Sequence, residues 1–171
     1  MKTHQALCGL VSGLLLLAAG TSNTCAALVS VDLNGPGDNL LTQDTISGLV
    51  WLDLTQTTNQ SFNSVFAQLG SGWTFEGFRY ATLAEVAGLW QNAGIDTSSL
   101  PGGAFTSANY TPILNLQNLI GFWPSTATNQ LDSVGMVSDT DGGANHEIPF
   151  IRRSDTTNQG TPNSGNYLDP D

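Results

Sequence analysis

Residues 82–94, TLAEVAGLWQNAG, contain a complete signal for an amphipathic helix. Thr82 and Glu85 have the spacing of a capping box, in which each side chain bonds the other residue's backbone at the start of a helix. Gly94 follows the segment and allows the left-handed exit that ends many helices. The apolar residues between these ends repeat on one face: Leu83, Val86, Ala87 and Trp90. Such a face needs a partner layer, and we expect it to pack against a sheet.

A second helix and several strands are predicted around this segment. Ser61 can cap a short helix that Gly70 ends, with its apolar stripe at Phe62, Val65, Phe66 and Leu69. Residues 27–33 alternate in the manner of a strand, and residues 40–54, LLTQDTISGLVWLDL, indicate a hairpin. Three later apolar patches indicate short antiparallel strands: LIGFWPSTA, SVGMVSD and EIPFIRRS. The pattern predicts an α+β fold with two helices packed on a small antiparallel sheet.

The passages between and after these elements are predicted to be irregular. Residues 94–118 read as a long loop, and a loop of that length in a compact domain is usually functional or poorly ordered. Residues 154–171 have no hydrophobic periodicity and few bulky apolar side chains, which predicts a flexible polar tail. Residues 27–153 then form a single domain.

The first 26 residues have the features of a secretory signal peptide: Lys2 near the start, an apolar and small-residue run over 6–19, and small residues before Leu28. The run is shorter than the roughly 20 residues that span a bilayer. Cleavage after Ala26 or Ala27 fits best. Cys25 raises the alternative of a lipoprotein, but the residues before it are polar where a lipobox is apolar. We therefore expect a secreted protein with no membrane span after cleavage.

Removal of this leader would leave a chain without cysteine or lysine. It would keep three arginines, one histidine and all 14 acidic residues, for a formal charge of 3 − 14 = −11. Without disulfides an exported domain must be held by its own core, and about 145 residues suffice for one. The acidic excess argues against nucleic acid, anionic lipid and polyanionic glycans as partners. We expect a monomer.

Four segments resemble the Lcl C-terminal type of C-type-lectin-like domain, a bacterial extracellular family. SGLVWLDL resembles its TGL.W.D opening, GFRYATLAEVAGLW its DWRLPT..EL..L segment, FWPSTA its YWSST strand and IPFIRRS its closing strand. The likeness covers about residues 38–153 and implies a C-type-lectin-like fold and an extracellular location. The closing strand lacks the family's cysteine, and the EPN, QPD and WND motifs of calcium-dependent sugar-binding lectins are missing. The N-terminal half is also similar to exported PEP-CTERM-associated proteins, but the chain ends NYLDPD without the Pro-Glu-Pro sorting tail.

Arg79 is interpreted as a structural residue. It lies just before the predicted helix, at the position of the arginine in the family's segment, and its aromatic neighbours indicate a partly buried site where a guanidinium needs an acidic partner. Asp53 and Glu76 are the candidate partners. Gripping a ligand carboxylate is the alternative. Trp51 and Trp90 are assigned to the core. Alternation along a strand would turn one of Arg152 and Arg153 inward and the other outward.

Two sets of residues are candidates for binding. The segment SDTDGGANHE places four hard oxygen ligands around two glycines, as a calcium loop would: Asp139, Asp141, Asn145 and Glu147. The alternative is an acidic hairpin turn, with His146 facing solvent. The aromatic residues least committed to the core are Trp73, Tyr110 and Trp123, which predict a ligand surface. Calcium is the one cofactor that these residue types indicate.

No pattern of catalytic residues is present. One histidine without cysteine disfavours zinc, and the GxSxG and HExxH motifs are missing. The leading hypothesis is a secreted, non-catalytic binding or extracellular-matrix protein whose ligand is a neutral polysaccharide or another surface protein, bound by the 94–118 loop and the 139–147 turn. The alternatives are an extracellular glycan hydrolase that uses a carboxylate pair and a structural exopolysaccharide-associated protein without a discrete site.

Overall fold

The computed structural model describes residues 27–124, 129–142 and 145–167. The predicted leader lies outside this part of the chain. The fold is α+β, with three α-helices and two small antiparallel sheets among the described residues. The mixed class predicted from the sequence is therefore confirmed, but the single sheet with two helices is wrong.

The first sheet contains three strands in the order of the chain. They are β1 (Leu28–Val31), β2 (Leu41–Asp44) and β3 (Val50–Leu52). The predicted hairpin is the β2–β3 pair, and the Asp44 side chain stabilises its turn by accepting hydrogen bonds from Ile46 N at 2.9 Å and Ser47 Oγ at 2.7 Å. A short polar side chain that bonds its own turn in this way is the reason aspartate favours such positions.

Both predicted helices form. A 3-10 helix, Leu54–Thr57, leads into α1 (Phe62–Phe66), which Ser61 caps, and α2 covers Leu83–Asn92. The capping box of α2 is present in both directions, since Thr82 Oγ1 accepts from Glu85 N at 3.2 Å and Glu85 accepts from Thr82 N at 2.8 Å. Helix α1 ends earlier than the pattern through Leu69 predicts.

The long irregular loop predicted over 94–118 is wrong in its second half, because α3 covers Tyr110–Ile120. Pro112 and the Pro- and Gly-containing stretch before it favour a loop, but Pro112 falls in the first turn, where a backbone N–H has no partner inside the helix. The inward face of α3 is fully buried: Ile113, Leu116, Gln117 and Ile120. Burial of this apolar stripe stabilises the helix far more than residue propensity does.

The second sheet has four strands and includes part of the segment predicted to be a tail. Its strands are adjacent in chain order: β4 (Trp123–Pro124), β5 (Gln130–Val134), β6 (His146–Ser154) and β7 (Gln159–Tyr167). Strand β7 pairs with β6 along its whole length, from His146↔Tyr167 to Ser154↔Gln159. The prediction of a flexible tail from residue 154 is therefore wrong for residues 154–167. Few bulky side chains are needed here, because backbone hydrogen bonds to β6 hold the strand.

The core lies where α2 and α3 meet β6. Its fully buried members are Leu89, Trp90, Ile95, Ile113, Leu116, Ile120 and Ile151. Trp51, on β3, is half-buried and packs against this cluster. Trp90 is therefore a core residue, whereas Trp51 lies at the margin of the core.

Candidate functional site

A large cleft lies between β3, the segment 57–81, α2 and the strands β5 and β6. Its volume is about 1250 Å³. The floor is apolar and includes Leu54, Val86 and Val137. One rim is a run of neutral hydroxyl and amide side chains, Thr57, Thr58, Asn59, Gln60 and Ser61. The cleft therefore offers an apolar surface bordered by uncharged hydrogen-bonding groups, a composition typical of ligand sites.

The cleft contains aromatic side chains, but only one of the three predicted ligand residues. Trp123 lines it, together with Trp51, Phe78, Tyr80 and other aromatic residues. Trp73 is 64% exposed and does not line the cleft. Tyr110 also lies outside it and donates a hydrogen bond from its hydroxyl to Asp155 Oδ1 at 3.1 Å. The predicted ligand surface of Trp73, Tyr110 and Trp123 is therefore not assembled around this cleft.

Arg79 stabilises the start of α2, as predicted, but with a different partner. Its guanidinium donates to Glu85 Oε1 at 2.6 Å and Oε2 at 2.9 Å, and also to the carbonyl of Tyr80. The partners predicted for it, Asp53 and Glu76, are engaged elsewhere. The site is not buried either, since 61% of the Arg79 side chain is exposed. Arg79 thus holds the capping glutamate in place from the solvent side.

The carboxylates of Asp53 and Glu76 bond local backbone groups. Asp53 accepts from Thr55 N and Thr55 Oγ1, both at 3.0 Å, and caps the 3-10 helix. Glu76 accepts from Gly72 N at 2.7 Å and Ser71 Oγ at 3.1 Å, closing the turn after α1. Both carboxylates therefore find their hydrogen-bond donors within a few residues in the sequence. The acidic partner of Arg79 is Glu85 instead.

The hydrogen bonds that Glu85 accepts from Arg79, together with that from Thr82 N, lower its pKa to about 2. A carboxyl group with a folded-state pKa below its unfolded value stabilises the fold above the unfolded pKa, and that contribution is lost as the pH falls toward the folded pKa. We expect Glu85→Gln to lower the unfolding free energy by about 1 kcal/mol at pH 7. The difference from the parent should shrink between about pH 4.5 and pH 2, as measured by urea unfolding.

The variant Arg79→Ala is the control for this pH dependence. It removes the largest cause of the lowered pKa, so Glu85 should contribute less pH-dependent stability in this variant, and that contribution should be fully lost at a higher pH than in the parent. A difference between the parent and Glu85→Gln that stays constant from pH 7 to pH 2 would contradict the assignment.

In the described part of the 139–147 segment, the acidic residues make hydrogen bonds that stabilise the fold. Asp139 Oδ2 accepts from Leu83 N at 2.6 Å, so this carboxylate caps the N-terminus of α2 from 56 residues away. Asn145 donates to Asp141 Oδ2 at 2.8 Å, and Glu147 N donates to the carbonyl of Asp139 at 2.9 Å. Within residues 27–124, 129–142 and 145–167, no group of three or more His, Cys, Asp or Glu side chains could hold a metal ion.

His146 does not face solvent as the sequence predicted. Its ring stacks on Phe62 with centroids 3.6 Å apart, and Phe62 stacks in turn on Tyr80 at 4.0 Å. The hydroxyl of Tyr80 donates to the Phe62 carbonyl at 3.0 Å. This three-ring stack joins α1 to β6 and to the wall of the cleft. No spacing in the sequence indicates this stack, because Phe62 and Tyr80 are 18 positions apart and Tyr80 and His146 are 66 positions apart.

The two neighbouring arginines of β6 differ in burial. Arg153 is 6% exposed, and its Nε donates to Asp155 Oδ1 at 3.0 Å. Arg152 is half-buried and bonds both oxygens of the buried Asp132, at 2.6 and 2.7 Å. The predicted difference between the two side chains is confirmed, although both carry an acidic partner.

No known protein family, curated protein sequence or solved structure matches this chain. Among the described residues no helix is both long enough and apolar enough to cross a bilayer.

Only three charged side chains occur among the residues that line the cleft: Asp53, Arg79 and Glu85. Arg79 and Glu85 neutralise each other, and Asp53 is held by Thr55. The chemistry available to a ligand is therefore apolar packing, aromatic stacking and neutral hydrogen bonding.

Proposed function

We propose that this protein is an exported, non-catalytic binding domain of the C-type-lectin-like kind, and that it binds a neutral polysaccharide or a surface protein in the cleft. The observation that carries the proposal is the open cleft of about 1250 Å³, with aromatic and aliphatic lining residues and a neutral polar rim. The order of the elements, with a hairpin first, then helices and then closing antiparallel strands, is compatible with this fold assignment. The leader-like first 26 residues support export.

The state of the carboxylates favours binding over glycan hydrolysis. A hydrolase needs one carboxyl group with a raised pKa as general acid and a second as base or nucleophile. Both carboxylates of the cleft, Asp53 and Glu85, cap helices. The pKa is lowered, not raised, at Asp38, Asp44, Glu76, Glu85 and Asp96. No observation supports the third hypothesis of a structural protein without a site.

Trp123→Ala tests the cleft as the site. We expect it to weaken binding about tenfold, since truncating an aromatic anchor in a binding site costs more than about 1 kcal/mol. The probes are immobilised neutral glucans and phage-displayed random nonapeptides, measured with calcium and with EDTA. Trp73→Ala is the matched control, because this equally large side chain lies outside the cleft, and its binding should stay within about twofold of the parent.

Two outcomes would contradict the proposal. One is a parent protein that binds neither glucans nor peptides. The other is a Trp73→Ala variant that loses binding while Trp123→Ala keeps it. Abolition of binding by EDTA would instead restore the calcium hypothesis for the 139–147 segment.

A further inference from the structure

Strand β3 is an open edge of the first sheet. Asp44 N bonds the carbonyl of Leu49, and Asp53 N bonds the carbonyl of Leu40, each at 2.9 Å. In an antiparallel ladder the hydrogen-bonded residues alternate, so Leu49, Trp51 and Asp53 direct their backbone groups toward β2. The two residues between them, Val50 and Leu52, direct theirs away from β2, and no described residue bonds those groups.

This free edge belongs to the lining of the cleft. All residues from Gly48 to Leu54 line it, and Trp51, on the face opposite Val50, is half-buried there. An unpaired strand edge beside an apolar surface is a ready template for another strand, because its backbone donors and acceptors gain partners while side chains are buried.

Resting on the proposed binding function, we infer that the ligand is an extended polypeptide segment of a partner protein, which adds as a further strand beside β3. The volume of about 1250 Å³ exceeds the roughly 300–1,000 Å³ of pockets for small molecules, which favours a length of polymer. Three residues of β3 span about 10 Å at roughly 3.3 Å per residue. A segment of about five residues can pair with this edge and extend past both ends.

The side chains of this segment follow from the surfaces beside the edge. Alternate residues of a strand point to opposite faces, so one set enters the apolar cleft and should be apolar. The other set, near Val50, which is 45% exposed, faces water and tolerates polar residues.

The charge of the domain sets a further requirement on the partner segment. The protein has a formal charge of −10, and Asp53 is the one carboxylate of the cleft without a cationic partner among the described residues. Acidic segments are therefore repelled, and segments with neutral or basic flanks are favoured.

Val50→Pro is the direct test. Proline removes the free N–H at this position but is compatible with an edge strand. Peptides selected from the random nonapeptide library should alternate apolar and polar residues, and their affinity for Val50→Pro should fall about tenfold. Ser30→Pro is the matched control, because Ser30 is exposed, has its N–H at the free edge of β1 on the opposite side of the same sheet, and should bind as the parent does.

Two measurements keep the test decisive if Val50→Pro fails to fold. N-methylation of selected peptides at alternate residues should abolish binding in one register and leave it in the other, as expected for a paired strand. The amide hydrogen of Leu52 should also exchange more slowly when peptide is bound.

The possible outcomes separate this inference from the proposed function. Failure to select any peptide, or selected peptides whose binding is insensitive to N-methylation and to Val50→Pro, would overturn the inference. Binding of neutral glucans that depends on Trp123 would then leave the proposed function standing with a polysaccharide ligand. A concentration-dependent dimer that Val50→Pro dissociates, in the absence of peptide binding, would assign the edge to a second copy of this chain and also overturn the inference.

Discussion

Replacing Arg152 with alanine is expected to lower the free energy of unfolding by about 3 kcal/mol. The guanidinium bonds both oxygens of Asp132, whose side chain is 8% exposed. Removing it leaves a carboxylate in a site with little access to water, and breaking a buried pair from one side costs about 3–5 kcal/mol. The loss should be at the lower end, because Arg152 itself is 30% exposed. Chemical denaturation at pH 7 measures it.

Two further variants separate burial from charge. Arg79→Ala removes an equally well-formed bidentate pair at an exposed position and should cost at most about 1 kcal/mol. The double variant Asp132→Leu/Arg152→Met removes both charges and should recover most of the stability lost in Arg152→Ala. Equal losses in Arg152→Ala and Arg79→Ala would show that the Asp132 site is more hydrated than its burial indicates.

Replacing Gly103 with alanine is expected to lower the free energy of unfolding by about 3 kcal/mol, or to detach β7 from residues 101–106, which pack against it. A Cβ at this position would overlap the backbone carbonyl oxygen of Pro162 and the hydroxyl of Thr161. Both atoms belong to β7, which is bonded along its whole length to β6 and cannot yield without losing ladder hydrogen bonds. Overpacking a close-packed site typically costs about 1–3 kcal/mol, and a clash with backbone falls at the upper end.

Gly102→Ala is the control for this experiment, because a Cβ there would meet nothing within 4 Å. It should change the unfolding free energy by less than about 0.5 kcal/mol. Thermal unfolding of the two variants and the parent compares them directly. If Gly103→Ala were as stable as Gly102→Ala, residues 159–167 would not be packed against the 101–106 segment.

The elements predicted from the sequence are those with local signals. The Asp44 turn depends on residues within three positions, and the capping box of α2 on Thr82 and Glu85. Helix α3 and strand β7 lacked such signals. Pro112 obscured the start of α3, and β7 is built from small and polar residues whose backbone pairs with β6. Their stability comes from partners distant in the sequence, which periodicity cannot reveal.

The candidate site was predicted less well than the fold. Of the three aromatic residues proposed for a ligand, only Trp123 lines the cleft, since side-chain identity does not say which surfaces face each other. Asp139 illustrates the same limit. Its acidic, glycine-rich surroundings are typical of a calcium loop, but its carboxylate bonds Leu83 N at the start of α2. A single carboxylate can serve either purpose, and only its neighbours in space distinguish them.

By itself, the sequence determined the α+β class, two of the helices, the hairpin and the acidic character of the chain, because each follows from composition or from residues a few positions apart. The tertiary structure alone decided that Arg79 bonds Glu85, that His146 stacks on Phe62, and that β3 leaves an open edge in an apolar cleft. These features depend on how elements far apart in the chain pack together. Their free energy comes from burial and mutual geometry, which local sequence patterns do not determine.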